Sequence, residues 1–203
     1  MAVPAYPLQH GEDRGDWPAQ GAWTYEDYLR LPEDGNRYEV IRGVLYVTAA
    51  PVPRHQFAVV KLSRFFDEFV SDNELGVVLS APTDVRLPSA IADPVQPDVM
   101  VFRKGNEPRW ELSNYQGVPD LVAEVLSPST RRRDRTIKMD AYRDAGVPEY
   151  WLVDPDARTV VVYVLDPGNG YNEFCRGGVG ETVRSSVLPG FRVEVAGLFP
   201  RQS

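Results

Sequence analysis

Apolar residues in this chain come in short runs separated by turn-forming residues, and the spacing within each run sets the element it predicts. Residues 96–102 (Gln-Pro-Asp-Val-Met-Val-Phe) and 119–127 (Pro-Asp-Leu-Val-Ala-Glu-Val-Leu-Ser) are short and rich in β-branched residues. Bounded by Pro, Gly or Ser, they predict strands covered on both faces. Within residues 38–47, two apolar runs flank Arg42-Gly43 and predict a hairpin. Residues 55–73 predict a helix with Val60, Phe65 and Phe69 toward the core. His55 opens it, where a lone His is expected as a cap or a surface residue. Residues 76–87 predict a strand broken at Pro82, with Asp84 facing solvent.

A second helix is expected from Ser127-Pro128 to about Ala145, capped by Ser127 or Ser129 and stopped by Gly146. Ile137, Ala141 and Ala145 form its apolar stripe. Asp134, Lys138 and Tyr142, at four-residue spacing, share another face. Strands follow at 150–153, 159–165 and 171–175, then a glycine loop at 177–180 and a short strand or turn within 191–199. Thr24 caps a short helix at residues 24–29. Residues 1–21 hold several Pro and Gly without periodicity and predict a flexible arm, which leaves residues 22–203 as a single domain.

Composition narrows the classes. With 43% hydrophobic residues the chain can bury a sizeable core, and a net charge of −7 argues against a general nucleic-acid coat protein. The single cysteine, Cys175, allows no internal disulfide. No run has the roughly 18 apolar residues of a membrane span, and the N-terminus lacks a signal peptide's apolar centre. The expectation is a soluble, cytoplasmic protein with no membrane partner.

The two predicted buried strands each carry an acid, Asp98 and Glu124. A carboxylate so placed ionises only at great cost unless a metal ion or a cationic side chain stands beside it. Glu39 is a third acid in an apolar run. The helix after Glu124 carries Arg131, Arg132, Arg133, Arg135 and Lys138. Arginines in the first turns oppose the helix dipole, so a polyanion or an acidic cluster is expected nearby. Only His10 and His55 are present, which leaves little for a zinc site. Two carboxylates with a Lys suit phosphodiester hydrolysis dependent on Mg²⁺, a hard ion that prefers a few carboxylate oxygens plus water and phosphate oxygens.

The ordered set Pro97-Asp98, then Glu124 within Ala-Glu-Val-Leu-Ser-Pro-Ser, then Lys138, then residues 146–155 (Gly-Val-Pro-Glu-Tyr-Trp-Leu-Val-Asp-Pro) resembles the Uma-two family of putative restriction endonucleases. That family lies within the PD-(D/E)XK nuclease superfamily. Residues 38–43 and 54–56 match as well, so the resemblance spans about residues 22–200. It implies an α/β (α+β), restriction-endonuclease-like fold with a central mixed sheet flanked by helices. It also implies Asp98 and Glu124 as ligands of Mg²⁺, with Mn²⁺ as a substitute. The usual superfamily Lys stands two residues after the acid, where this chain has Leu126; Lys138, from the following helix, matches the replacement used in the related family. Glu39 matches a position that approaches the metal site.

The leading expectation is therefore a metal-dependent DNA endonuclease. Asp98, Glu124, Lys138 and Glu39 would form its site, and Arg131, Arg132 and Arg133 would contact phosphates. RNA or branched DNA is a further substrate class. The alternative is a catalytically inactive nuclease-fold module for binding or assembly. Cutting both strands needs two sites, so a homodimer is expected, with Trp17, Trp110 and Tyr115 as contact aromatics.

Overall fold

The computed structural model describes residues 17–201. Helix α1 (Tyr25–Tyr28) leads into the hairpin β1 (Arg37–Ile41) and β2 (Val44–Thr48). Helix α2 (Pro53–Asp72) follows, then β3 (Gly76–Ser80), the short β4 (Val85–Arg86), β5 (Val99–Arg103), the short β6 (Tyr115–Gln116) and β7 (Leu121–Val125). Helical stretch α3 covers residues 131–145. The chain ends with β8 (Glu149–Asp154), β9 (Thr159–Asp166), β10 (Gly170–Gly178), β11 (Thr182–Arg184) and β12 (Arg192–Glu194).

Six strands form the central sheet in the order β10-β9-β8-β7-β5-β3. Only β7 and β8 run parallel, and α3 is the crossover that a parallel pair requires. The sheet is mixed and flanked by helices, as expected. Strands β5, β7 and β8 sit centrally and are buried on both faces, which explains why their sequences are continuous apolar runs rather than alternating ones.

Each face has its own core. On one, Val99, Val101, Leu121, Ala123, Trp151 and Val153 pack under α2 and the C-terminal segment. Phe66 stacks on Phe191 at 4.7 Å and meets the edge of Trp151 at 5.3 Å. On the other face, Met100, Phe102, Val122, Leu126, Tyr150 and Leu152 pack under α3. Within α3, residues Asp134–Lys138 form a π-helical segment between two α-helical pieces. Gly146 ends α3 in the left-handed region, with φ at +87°. Ser127 does not cap it; its hydroxyl accepts from Thr130 N–H at 3.2 Å in a turn just ahead of the helix.

Four expectations need correction. The buried face of α2 is His55, Ala58, Val59, Leu62, Phe66 and Val70, the 3.6-residue stripe that begins one turn earlier than Phe65 and Phe69 suggest. Val60 is 64% exposed, while Phe65 and Phe69 flank the core beneath the C-terminal segment. Asp84 is half-buried rather than solvent-facing, accepting hydrogen bonds from Tyr28 Oη at 2.9 Å and Gln96 Nε2 at 2.8 Å. Tyr115 is buried against Phe102 and donates to Asn106, so of the three contact aromatics only Trp110 stands well exposed. Residues 177 and 178 continue β10 instead of forming a loop.

The expected flexible arm divides. Residues 1–16 lie outside the described residues. Residues 17–24 are docked on the hairpin: Trp17 stacks on Trp23 at 5.4 Å, and the N–H groups of Gly21 and Trp23 donate to the Gly43 carbonyl at 2.7 and 2.9 Å. The backbones approach so closely that a Cβ on Gly43, whose φ is +71°, would lie 2.4 Å from the Gly21 carbonyl oxygen. No helix among the described residues is long and apolar enough to cross a membrane.

The corrected face of α2 gives the first prediction. Leu62→Ala is expected to cost about 2–5 kcal/mol in urea denaturation, whereas Val60→Ala should stay within about 0.5 kcal/mol of the parent. Equal losses would contradict this packing.

Candidate functional site

Strand register brings the two acids together. The antiparallel pairing of β5 with β7 sets Val99 opposite Ala123 and Met100 opposite Val122. Continued by one residue, it sets Asp98 opposite Glu124, with both side chains on one face of the sheet. Their alternate neighbours, Met100, Val122 and Leu126, all belong to the core under α3; Glu124 meets Lys138 and Tyr142 of α3, while Asp98, just ahead of β5, also reaches His55 of α2. Alternation in β1 puts Arg37, Glu39 and Ile41 on a common face. The expected polar line of α3 is present: Asp134, Lys138 and Tyr142 are all buried. Lys138 closes the π segment, a local widening of the helix often found where a helix presents a functional side chain.

The result is a closed ionic cluster. Glu39, Asp98, Glu124 and Lys138 are each no more than 3% exposed. Lys138 Nζ lies 2.6 Å from Glu124 Oε1 and 2.8 Å from Glu39 Oε1. Tyr142 Oη donates to the same Glu124 oxygen at 2.6 Å. Glu39 Oε1 also accepts from the Gln96 N–H at 2.8 Å, and its Oε2 is 3.3 Å from Arg133. The two Asp98 oxygens have different partners. Oδ1 accepts from both terminal nitrogens of Arg37 at 2.9 and 2.7 Å. Oδ2 accepts from the Val125 N–H at 2.9 Å and from His55 Nε2 at 3.1 Å.

Each charge state follows from its neighbours. Burial opposes the Glu39 carboxylate, but Lys138, Arg133 and Arg37 outweigh it and hold that group down at about 2. Asp98 behaves similarly: burial raises it, and the His55 hydrogen bond and Arg37 charge bring it below the ordinary value. In turn, burial would lower His55, yet Asp98 raises it. Glu124 differs, because it shares Lys138 with Glu39 and pairs with no second cation among the described residues. Burial pushes it up to about 8, with Asp98, Asp134 and Glu39 adding to the rise against Lys138. Lys138 remains an ammonium: burial disfavours its charge, but Glu124, Glu39 and Asp134 raise its pKa further.

Of the residues singled out from sequence, Glu39, Asp98, Glu124 and Lys138 meet here. The arginines scatter. Arg131 is bonded to Asp154 at 2.5 Å and to Asp156 at 3.1 Å, and Arg135 reaches Asp154 at 3.3 Å. Arg133 turns inward to Glu39 and to Thr48 Oγ1 at 2.6 Å. The acidic cluster that balances the arginine run is thus largely the protein's own, and Arg132 is the exposed one without an ion pair among the described residues. Sequence reading missed Arg37 and the placement of His55. For His55 a signal existed, since it continues the buried stripe of α2 one turn toward the N-terminus. For Arg37 the only signal was its parity with Glu39 in β1.

Donor type decides whether a metal suits these side chains. Among the described residues no three His, Cys, Asp or Glu side chains form a ready cage. Mg²⁺ needs none: it commonly takes one or two carboxylates and keeps water and phosphate oxygens as its other ligands. Asp98 and Glu124 supply such a pair of hard oxygen donors, and Glu124 Oε2 accepts no hydrogen bond from a described residue. Three buried polar atoms around the cluster, His55 Nδ1, Gln96 Oε1 and Arg133 Nε, also have no partner among the described residues. The site therefore has polar capacity beyond what its own side chains use.

Comparison with known proteins bears on family and fold. The Uma2 family model, described as "Putative restriction endonuclease", matches residues 25–196. An uncharacterised protein of Synechocystis sp. is 31% identical over 136 residues, which is 64% of this chain and 74% of that protein. The crystal structure of a putative nuclease belonging to DUF820 from Anabaena variabilis superposes with a TM-score of 0.73 at 23% identity, covering 87% of this chain and 97% of that one. At that identity the superposition speaks for the fold.

Two measurements probe the cluster. Lys138→Met leaves Glu39 and Glu124 buried around an apolar side chain, and should cost about 3–5 kcal/mol in chemical denaturation. Adding Glu124→Gln to that variant should recover part of the loss. Glu124 also sets a pH dependence. Its folded-state pKa is raised, so the folded protein keeps a proton that the unfolded chain releases, and stability from this group falls as pH rises from 4.5 to about 8. The stability of Glu124→Gln relative to the parent should therefore climb across that window and level off above it, as measured by urea titrations at fixed salt.

Proposed function

The chain belongs to the Uma2 family of putative restriction endonucleases, and from that premise we propose that it is an endonuclease that hydrolyses DNA phosphodiester bonds with the aid of Mg²⁺. The observation that carries this reading is the pairing of Asp98 and Glu124 on one face of the sheet, with the Lys138 ammonium held against Glu124. Asp98 and Glu124 would hold the ion. Once bound, a divalent ion there supplies a water of lowered pKa and stabilises the charge that builds on the phosphate.

The chain's own groups do the remaining work. Lys138 is no base, since two carboxylates keep it protonated. As an ammonium it can donate to the attacking water or to a phosphate oxygen. Tyr142 fixes Glu124 Oε1 by its hydrogen bond and leaves Oε2 available. Glu39 holds the other side of Lys138 and so sets where that ammonium stands. Val125 N–H and His55 orient Asp98 through Oδ2. Arg132, exposed at the start of α3, is the arginine best placed to meet a backbone phosphate without first breaking an ion pair. One copy carries one such site, so cleavage of both strands calls for two copies.

One observation favours a second reading, a nuclease fold used for binding alone: every acid of the cluster already has a protein cation. A supercoiled-plasmid nicking assay separates the two. Wild type is expected to nick with Mg²⁺ or Mn²⁺ and to stop when EDTA is added. Asp98→Asn and Glu124→Gln should each lose at least about a hundredfold in rate, in line with removal of a group that stabilises transition-state charge, while keeping a folded circular-dichroism spectrum. Wild type that does not nick with either ion would favour the binding module.

A further inference from the structure

Four cationic or potentially cationic side chains surround the acids, and they differ in their freedom to leave. The Lys138 side chain is 2% exposed and lies between two carboxylates. That of Arg133 is 13% exposed, and Arg133 is also tied to Thr48. The His55 side chain is 7% exposed and stands on the core face of α2. Arg37 is the most accessible, with 24% of its side chain exposed; it lies at the open end of the hairpin where β1 begins, and its further tie is a 3.2 Å hydrogen bond to the Gln96 carbonyl.

The division of labour on Asp98 is equally uneven. Oδ2 is fixed by a backbone N–H and by His55, both buried. Oδ1 is held, among the described residues, by Arg37 alone. Movement of one partly exposed side chain would free that oxygen while leaving the carboxylate oriented. The backbone need not follow, because β1 is anchored from Val40 to the Pro94 carbonyl at 2.8 Å and from Arg42 to the Ile91 carbonyl at 3.0 Å. Charge argues the same way. Even counted as fully ionised, Glu39, Asp98 and Glu124 are no more than matched by Arg37, Arg133 and Lys138, so a divalent ion bound at Asp98 raises the positive charge of the cluster unless a cation withdraws. A guanidinium that leaves a carboxylate needs another anionic oxygen acceptor, and a phosphate at the mouth of the site, with two free oxygens for the guanidinium fork, provides one.

We infer that Arg37 is an exchangeable counter-ion: it occupies Asp98 Oδ1 in the metal-free protein, and gives it up to the metal to bind a phosphate of the substrate backbone. The inference rests on the metal site proposed above. It makes metal and nucleic acid bind cooperatively through one side chain, and it explains how a cluster closed by its own ion pairs can still accept a metal.

The test uses the full chain and two ligands. Mn²⁺ affinity is measured by calorimetry, and affinity for a short phosphorothioate DNA duplex by fluorescence anisotropy with and without Mn²⁺, at constant ionic strength. Arg37→Met is expected to bind Mn²⁺ about tenfold more tightly, since the competitor is gone, and the duplex in Mn²⁺ about tenfold more weakly. In wild type Mn²⁺ should tighten duplex binding, and in Arg37→Met that coupling should disappear. Arg37→Lys keeps the charge without the fork; it should hold Mn²⁺ close to wild-type affinity yet bind the duplex more weakly. If Mn²⁺ binds wild type and both variants equally, or if Arg37→Met weakens Mn²⁺ binding, Arg37 is a fixed structural partner and the inference fails while the metal site stands. Absence of Mn²⁺ binding by wild type, with the duplex present, overturns the inference and the metal site together.

Discussion

The structure depends on one buried ammonium. Lys138 is the group that lets Glu39, from the hairpin, and Glu124, from the central sheet, occupy the same interior. Without a positive charge there, two elements that share no hydrogen-bonded ladder would meet through facing carboxylates in a medium that solvates neither. The π segment of α3 is part of the same constraint, because it ends at Lys138 between two α-helical pieces. Hairpin, sheet and helix are thus joined by charge where they are not joined by backbone pairing.

This cluster also separates its acids by environment. Glu39 has three cations near it and a backbone N–H; Glu124 has one cation and a phenol. Its neighbouring cations hold the first well below the ordinary carboxylate range, and burial pushes the second up to about 8. Carboxylates with such opposed behaviour in one site are a recurring mark of functional centres. Here the difference arises from the count of neighbouring cations, since both side chains are almost wholly buried.

Much of this was legible in the sequence. Central strands announced themselves as uninterrupted apolar runs, and the hairpin by its Arg-Gly turn, where Arg42 and Gly43 both take positive φ. Asp98, Glu124 and Lys138 stood out because each broke an apolar pattern or shared a helix face with other polar groups. What was not legible depended on contacts between distant elements. The pairing of Arg37 with Asp98 spans 61 residues. The side chains that bind Arg131 belong to Asp154, the last residue of β8, and Asp156, in a following turn that looks like any Asp-Pro turn. The phase of α2 is harder to read, because Phe65 and Phe69 mark a neighbouring stripe while the buried one includes two residues of modest apolar signal, His55 and Ala58.

The docking of residues 17–24 on the hairpin turn bears on where this folding unit starts. The family match opens at residue 25, just after that segment. Yet the Gln20 side chain accepts the Leu45 N–H at 2.8 Å, Trp23 is buried among Tyr38, Val40 and Leu45, and the glycine contact leaves no room for a side chain between the two backbones. The segment behaves as a strap across the outer side of the hairpin whose inner side presents Arg37 and Glu39. A fragment trimmed to the start of the family match would keep every acid of the cluster and lose the brace behind it. For this fold, the stretch that sequence comparison counts as peripheral belongs to the architecture of the site.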